Sequence, residues 1–187
     1  MTHVICLYGG PGTGKSTQAA YLFYLLKAAG VNAELVTEYV KQWAWEDRKP
    51  LKYDQFYFFG QQARREYSLF GKVDVLVTDS PVPLCGYYAK LYGTQAQSRC
   101  LADMIRTYYG MVLESGATYH HVFLRRLTPY DPTGRFETAE EALAIDRDMR
   151  AYLTSIGIAF DDVDATGEAV GRWAGGLFPL TGKGDHE

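Results

Sequence analysis

The sequence predicts a three-layer α/β protein in which helices cover both faces of a mostly parallel β-sheet. Two observations predict this fold class. Short apolar segments alternate with longer helical segments along the chain, and a glycine-rich segment joins the first apolar segment to the first helical one. Strand–helix alternation is typical of a parallel sheet, because two parallel strands need a crossover connection that usually contains a helix.

The first elements enclose the glycine-rich segment. Residues 3–8 form an apolar strand, and the helix that begins at Lys15 places apolar side chains on one face. Gly30 ends this helix, because glycine is favoured where the chain leaves a helix in the left-handed conformation. Residues 33–36 are the second predicted strand.

The middle of the chain predicts a helix and then a buried strand. We expect the helix over residues 54–70, with Asp54 as its N-cap and Gly71 as its stop. Residues 73–77 are short, apolar and partly β-branched, which favours a parallel strand that is covered on both faces.

The second half of the chain continues the alternation. Its predicted elements are a helix at 95–113, a strand at 119–124, a helix at 139–155, a strand at 158–160 and a helix at 167–173. No repeat or linker interrupts the sequence, so we expect one domain over residues 1–178. The glycine-rich residues 179–187 are expected to form a flexible tail.

Bulk composition restricts the classes of function. The net charge of −3 gives no general attraction to polyanions, so contact with nucleic acid would need a local basic patch. Three irregularly spaced cysteines predict neither a metal site nor a disulfide framework. The first strand begins at residue 3 and no apolar run could span a bilayer, which predicts a cytoplasmic protein without membrane contact.

The glycine-rich segment 9–17 fills every position of the motif G-x-x-x-x-G-K-S/T between the first strand and the first helix. In this motif, backbone N–H groups and the helix N-terminus bind nucleotide phosphates. Lys15 is expected to reach the β- and γ-phosphates, and the Ser16 hydroxyl to bind Mg²⁺. The sequence therefore predicts an ATP site whose residues are Gly10, Pro11, Gly12, Thr13, Gly14, Lys15, Ser16 and Thr17.

Asp79 follows the buried strand 73–77, which is the Walker B arrangement. A carboxylate in this position orients Mg²⁺ or its water ligands. The next residue is Ser80, whereas hydrolytic ATPases often have a glutamate there that activates water. The pattern therefore favours phosphate transfer to an acceptor over hydrolysis.

Glu38 lies just after the second strand, so we expect it near Lys15 and Asp79 at the carboxyl edge of the sheet. There its carboxylate could accept the proton of an acceptor hydroxyl that attacks the γ-phosphate. Two alternatives remain open. Glu38 could make a salt bridge or begin a short helix over residues 39–45, and Asp79 could serve as the base instead.

A segment that contains arginine, proline and glycine follows the fourth predicted strand. Residues 126–138 break regular structure and suit a lid that closes on the triphosphate. Four guanidinium groups in this region could neutralise transition-state charge: Arg125, Arg126, Arg135 and Arg147. We favour Arg126 and Arg135, and the alternative is that these arginines pair with acidic residues on a solvated helix face.

Many aromatic residues should flank the predicted cleft. They are Tyr39, Trp43, Trp45, Tyr53, Phe56, Tyr57, Phe59, Tyr87, Tyr88 and Tyr92. Aromatic faces with polar tips suit stacking on a nucleobase, either free or flipped out of nucleic acid. The helical spacing of Phe56, Phe59 and Ala63 equally fits core packing.

Residues 9–17, Glu38-Tyr39, Asp79-Ser80-Pro81 and Gly134-Arg135 together resemble the small P-loop kinases of the nucleoside and nucleotide kinase superfamily. Within it, the chain is similar to phage kinases akin to ribosylnicotinamide kinase domains. The resemblance implies a three-layer αβα P-loop NTPase fold, Mg-ATP, and phosphorylation of a nucleoside-like acceptor. Some phage relatives phosphorylate 5-hydroxymethyluracil within DNA, which would place such a protein in the host cytoplasm. The Asp79-Ser80-Pro81 turn departs from the Asp-Arg-Tyr/Ser pattern of thymidylate and deoxynucleoside kinases.

Three functions follow from these patterns. The favoured one is a kinase whose nucleoside-type acceptor is either free or within DNA. DNA would need a basic rim, which could come from Lys41, Arg48, Lys49, Lys52, Arg64, Arg65 and Lys72. A GTPase switch is disfavoured because the sequence has no Asn-Lys-x-Asp motif. A DNA-associated P-loop ATPase is disfavoured by the short chain and by the absence of glutamate after Asp79.

Overall fold

The computed structural model describes residues 1–127 and 138–180, and its described strands form one parallel sheet. The strands are β1 (His3–Tyr8), β2 (Ala33–Val36), β3 (Val75–Thr78), β4 (Thr118–Arg125) and β5 (Asp161–Asp164). Their order is β2-β3-β1-β4-β5, and each of the four pairings is parallel. The predicted parallel α/β architecture is confirmed.

Helices cover both faces of this sheet. Those within the described residues are α1 (Lys15–Ala28), α2 (Lys41–Trp45), α3 (Asp54–Tyr67), α4 (Pro83–Tyr92), α5 (Gln95–Glu114), α6 (Ala139–Ser155) and α7 (Gly167–Gly175). Helices α1 and α7 pack on one face, and α3, α4, α5 and α6 pack on the other. Among these described helices, none is long and apolar enough to cross a membrane.

The central strand β1 is buried on both faces. Val4, Cys6 and Tyr8 pack into the core beneath α3–α6, while Ile5 and Leu7 pack into the core beneath α1 and α7. All five side chains are fully buried. Burial of one Leu or Ile side chain contributes about 1.5–3 kcal/mol to stability. Core packing therefore fixes the position of β1 directly before the glycine-rich segment.

Local signals explain why α1 and α6 have the predicted bounds. Gly30 adopts a φ of +78° just after α1, as the predicted helix stop requires. At the start of α6, the Thr138 side chain accepts from the Glu141 N–H at 3.2 Å, and the Glu141 carboxylate accepts from the Thr138 N–H at 2.7 Å. This reciprocal capping box fixes the first turn of α6.

Two predicted bounds differ from the structure: β3 begins at Val75 and not at residue 73, and α3 ends at Tyr67 and not at residue 70.

Two further local predictions are wrong. The fifth strand forms at Asp161–Asp164 and not at 158–160, because the apolar residues Ile158 and Phe160 pack against the core instead of joining the sheet. β5 is an edge strand that buries only Val163, so it tolerates acidic neighbours. Asp54 is not the N-cap of α3: Tyr53 holds that position, and the Asp54 carboxylate accepts from the Leu51 N–H at 2.6 Å.

Helix α4 was not among the predicted elements, although two prolines, Pro81 and Pro83, follow Asp79. Pro83 opens the helix, where its missing N–H costs nothing. Its burial, together with that of Leu84, Cys85 and Tyr87, attaches α4 to the core directly after the Asp79 turn. Most of the predicted lid (126–138) and most of the predicted tail (179–187) lie outside the described residues.

Candidate functional site

The strand order brings three predicted site segments to one edge of the sheet. β3 lies between β2 and β1, and all three run in the same direction. Glu38 therefore follows β2, Asp79 follows β3 and Gly9 follows β1, each at the carboxyl end of its strand. In open α/β sheets, this is the edge at which ligands bind.

The glycine-rich segment forms a compact turn that depends on its glycines. Gly9, Gly12 and Gly14 have φ values of +146°, +75° and +88°, which side chains other than hydrogen rarely permit. A Cβ atom on Gly9 would also lie 2.6 Å from Thr13 Oγ1. Thr13 is buried and its hydroxyl donates to the Gly10 carbonyl at 3.0 Å, so the turn is closed by its own residues.

Lys15 begins α1 directly after this turn. Its Nζ atom donates to the carbonyl oxygens of Gly9 at 2.6 Å and Gly10 at 3.1 Å, so the ammonium lies against the loop. Ser16 and Thr17 are exposed in the first turn of α1. The predicted phosphate-binding residues thus lie together at a helix N-terminus, where backbone N–H groups and the helix dipole favour an anion.

Asp79 and Glu38 are in direct contact. The Asp79 side chain is buried, and its Oδ1 atom accepts from the backbone N–H of Glu38 at 2.8 Å. The expected proximity of these two acidic residues is therefore found. The hydrogen bond is made by the Glu38 backbone, and the Glu38 side chain is half-buried.

The oxygen atoms at this edge suit Mg²⁺. Only one oxygen of Asp79 has a hydrogen bond to the part of the chain that the structure describes, and the hydroxyl of Ser16 is exposed. Within the same residues, no group of three or more His, Cys, Asp or Glu side chains could hold a metal alone. Mg²⁺ at nucleotide sites needs no such cage, because it binds through one or two protein oxygens, phosphates and water.

The arginines differ in their surroundings. Arg126 reaches the P-loop: its Nη2 atom donates to the Pro11 carbonyl at 2.7 Å, and its Nε atom donates to Asp146 at 3.0 Å. Arg125 instead pairs with Asp164 of β5 on the protein surface. The pairing with an acidic residue of the following helix, which the alternative interpretation anticipated, is made by Arg126 with Asp146 on α6. Arg147 is exposed on α6, and Arg135 lies outside the described residues.

An aromatic cluster joins Tyr39, which precedes α2, to side chains of α2 and α3. The Tyr39 and Tyr57 hydroxyls are 2.6 Å apart, and Trp43 packs on the Tyr57 ring with centroids 6.2 Å apart. The Arg48 guanidinium lies 3.8 Å from the Trp43 ring centroid, and Arg65 lies 4.8 Å from that of Tyr39. This group, hereafter the aromatic cluster, combines tilted and edge-on rings with positive charge, and its residue Tyr39 directly follows Glu38 in the chain.

Other aromatic residues belong to the core or are scattered. Phe59 and Tyr87 are buried, so core packing is the better interpretation for them. Trp45, Tyr53 and Tyr92 are exposed. Tyr88 and Tyr92 stack with centroids 6.1 Å apart on α4.

A buried acidic residue that was not predicted from the sequence lies beneath the Asp79 turn. Glu66 on α3 is 1% exposed and accepts from the Tyr108 hydroxyl at 3.1 Å. Its neighbour Gln62 is also buried and donates to Thr78, the residue before Asp79, at 3.3 Å. Burial raises the pKa of Glu66 to about 8, because the apolar surroundings disfavour the charged form.

This raised pKa predicts a pH dependence of stability. The ordinary pKa of 4.5 is lower than the folded value of about 8, so the folded chain keeps a proton that the unfolded chain loses. Stability should therefore be fully present below pH 4.5 and decline as the pH rises to 8. Glu66→Gln should remove this decline, which lowers the free energy of unfolding by at most about 1.4 kcal/mol per pH unit.

Urea unfolding of the wild type and Glu66→Gln between pH 6.5 and 8 measures this effect. Burial lowers the pKa of His121 from 6.5 to about 4. His121 therefore makes stability rise with pH, but only below pH 6.5, outside the range of this measurement. The Tyr108 hydroxyl can still donate to the amide oxygen of glutamine. Parallel stability curves for the two proteins would contradict a protonated Glu66.

Solved structures share this fold. One is NadR protein in complex with NAD and AMP-PNP, with a TM-score of 0.63, 15% identity, and coverage of 100% of this chain and 51% of that chain. NadR protein in complex with NR has a TM-score of 0.60 and 16% identity, and the match covers 87% of this chain and 43% of that chain. Deoxyadenosine kinase from M. mycoides with bound dATP has a TM-score of 0.59 and 18% identity, and the match covers 93% of this chain and 98% of that chain. The chain spans about half the length of the NadR chains.

These likenesses establish the three-layer P-loop fold, since identities this low carry no more than the fold. Among curated proteins, no sequence matches the chain. A family described as AAA domain matches residues 4–169, which include the whole P-loop, Glu38, Asp79 and α6. The chain therefore belongs to this AAA domain family of P-loop proteins.

Proposed function

We propose that the chain is an ATP- and Mg²⁺-dependent kinase that transfers the γ-phosphate to a hydroxyl of a nucleoside-type acceptor. The observation that carries this proposal is the contact between Glu38 and Asp79 at the same sheet edge as the P-loop. A general base beside the metal-orienting carboxylate is what transfer to a hydroxyl requires. The absence of a glutamate after Asp79 supports transfer over hydrolysis.

The reaction uses few protein groups. The acceptor oxygen attacks the γ-phosphorus, its proton passes to the Glu38 carboxylate, and the bond to the bridging oxygen of the leaving ADP breaks. Lys15 and the P-loop N–H groups hold the phosphates in line and stabilise the charge that develops on them. Mg²⁺, held by Ser16 and Asp79, would supply further charge neutralisation on the phosphates.

The aromatic cluster supports a nucleoside-type acceptor. Tyr39 directly follows Glu38 in the chain. A nucleobase stacked on the aromatic cluster would therefore present the hydroxyl of its sugar or substituent near Glu38, the proposed general base. Base–aromatic stacking is worth about 1–3 kcal/mol per base. A solved protein that shares this fold is a deoxyadenosine kinase, and its name gives a nucleoside as acceptor, which supports such an acceptor here.

Two acceptor classes compete, a free nucleoside or nucleotide and a base within DNA such as 5-hydroxymethyluracil. Positive charge around the cluster supports an acceptor that carries phosphate. The exposed cations there are Lys41, Arg48, Lys49, Lys52 and Arg65. Nearby acidic residues reduce this charge, among them Glu46, which pairs with Arg48 at 3.4 Å.

Incubation with Mg²⁺ and γ-labelled ATP tests the proposal. The panel should contain nucleosides, nucleotides, unmodified DNA and DNA that contains 5-hydroxymethyluracil. Label in a small molecule identifies a free acceptor, and label only in the modified DNA identifies a DNA-base kinase. ATP consumption without any labelled acceptor would contradict the kinase and support the second candidate, a DNA-associated P-loop ATPase, which membership of an AAA domain family favours.

Glu38→Gln separates catalysis by Glu38 from a structural role. We expect phosphate transfer to slow on the order of a hundredfold or more, with little change in ATP affinity, because the amide cannot accept the proton. The backbone N–H that binds Asp79 is unchanged by this substitution. Steady-state kinetics give kcat and KM, and Glu34→Gln, an exposed residue on β2, is the matched control. Unchanged kcat in Glu38→Gln would leave Asp79 as the candidate base.

A further inference from the structure

A closed set of hydrogen bonds joins the P-loop to α6. The backbone N–H of Gly10 donates to Asp146 Oδ1 at 2.5 Å, and Arg126 Nε donates to Asp146 Oδ2 at 3.0 Å. Arg126 Nη2 also donates to the carbonyl oxygen of Pro11 at 2.7 Å. One carboxylate and one guanidinium thus hold two consecutive residues of the P-loop.

The contact requires glycine at position 10. A Cβ atom there would lie 2.5 Å from Asp146 Oδ1 and 3.0 Å from the Ala142 carbonyl oxygen, so a side chain would push α6 away. The P-loop motif itself leaves this position free. Gly10 is therefore explained by its approach to α6. Since its N–H donates to Asp146, the N–H groups that face a phosphate belong to later residues of the loop.

The negative charge of Asp146 affects how strongly the P-loop can bind a nucleotide. A carboxylate beside the P-loop repels a triphosphate unless it is neutralised. The Asp146 and Arg126 side chains are only 15% and 10% exposed, so water screens their charges weakly. If Arg126 were lost, an uncompensated, largely buried negative charge would remain at the loop.

We propose that the Asp146–Arg126 pair positions the P-loop for nucleotide binding, and that Arg126 acts mainly by neutralising and fixing Asp146. In this role both are positioning residues, and Arg126 need not touch a phosphate. The inference rests on the proposed function only in that the site binds ATP. It holds whatever the acceptor is.

A double-mutant cycle on ATP binding tests the proposal. The variants are Arg126→Ala, Asp146→Asn and the double variant, and the readout is the Kd of a fluorescent ATP analogue with Mg²⁺. The neighbouring surface pair Arg125–Asp164, at 2.8 Å and 53% and 40% exposed, provides the matched control through Arg125→Ala and Asp164→Asn. Thermal melting of each variant without nucleotide reports its folding.

The proposal predicts rescue. Arg126→Ala should weaken ATP binding on the order of thirtyfold, because it leaves Asp146 unpaired. Adding Asp146→Asn should restore affinity to within about fivefold of the wild type, because the amide oxygen still accepts from Gly10 without the charge. The two control variants should bind ATP as the wild type does.

A double variant that binds as weakly as Arg126→Ala would overturn the proposal and make Arg126 a direct phosphate contact. If Arg126→Ala does not fold, Gly10→Ala replaces it, since the added methyl group would displace Asp146 from the loop. Wild-type affinity in folded Gly10→Ala would likewise overturn the proposal. ATP binding is measured without an acceptor. If the protein phosphorylates no acceptor but the double variant still regains affinity, the kinase proposal fails and the positioning role of Asp146 and Arg126 stands.

Discussion

Lys15→Ala is expected to abolish phosphate transfer, with a loss on the order of a thousandfold in kcat/KM. The ammonium is a preorganised positive charge at the start of α1, and such groups contribute most where transition-state charge develops. Its present hydrogen bonds to the Gly9 and Gly10 carbonyls hold it against the loop, so little rearrangement is needed to meet a phosphate. Steady-state transfer of γ-labelled phosphate to the identified acceptor measures the effect.

The fold should survive this substitution. Alanine favours helix at this position, and Lys15 is only half-buried. Lys27→Ala, an exposed lysine in the last turn of the same helix, is the matched control and should retain wild-type activity. Full activity in folded Lys15→Ala would refute the assignment of residues 9–17 as the phosphate site.

Much of the fold could be predicted because strong local signals mark its elements. β1 and β2 were predicted with their observed bounds, since β1 ends directly before the glycine-rich segment and β2 follows the helix stop at Gly30. The predicted meeting of Glu38 and Asp79 followed from sheet geometry alone, because neighbouring parallel strands end at one edge.

What could not be predicted depends on contacts between distant residues. Asp146 looks like one of several acidic residues on a solvated helix, and only the fold brings it to Gly10, 136 residues away. Glu66 shares the helix face of Phe59 and Gln62, but a carboxylate is ordinarily exposed, so the sequence alone does not indicate its burial. The fifth strand was misplaced because pairing with β4, not hydrophobicity, decides which residues join a sheet edge.

The second large effect is expected for Asp79→Asn, which should raise the Mg²⁺ concentration needed for half-maximal activity about tenfold to a hundredfold. The amide oxygen can still accept from the Glu38 N–H, so the turn is kept while the charge that orients the cation is lost. Mg²⁺ titration of transfer activity measures the effect, with exposed Asp74→Asn before β3 as control. An unchanged Mg²⁺ requirement would remove Asp79 from the metal site and leave the Ser16 hydroxyl as the protein oxygen assigned there.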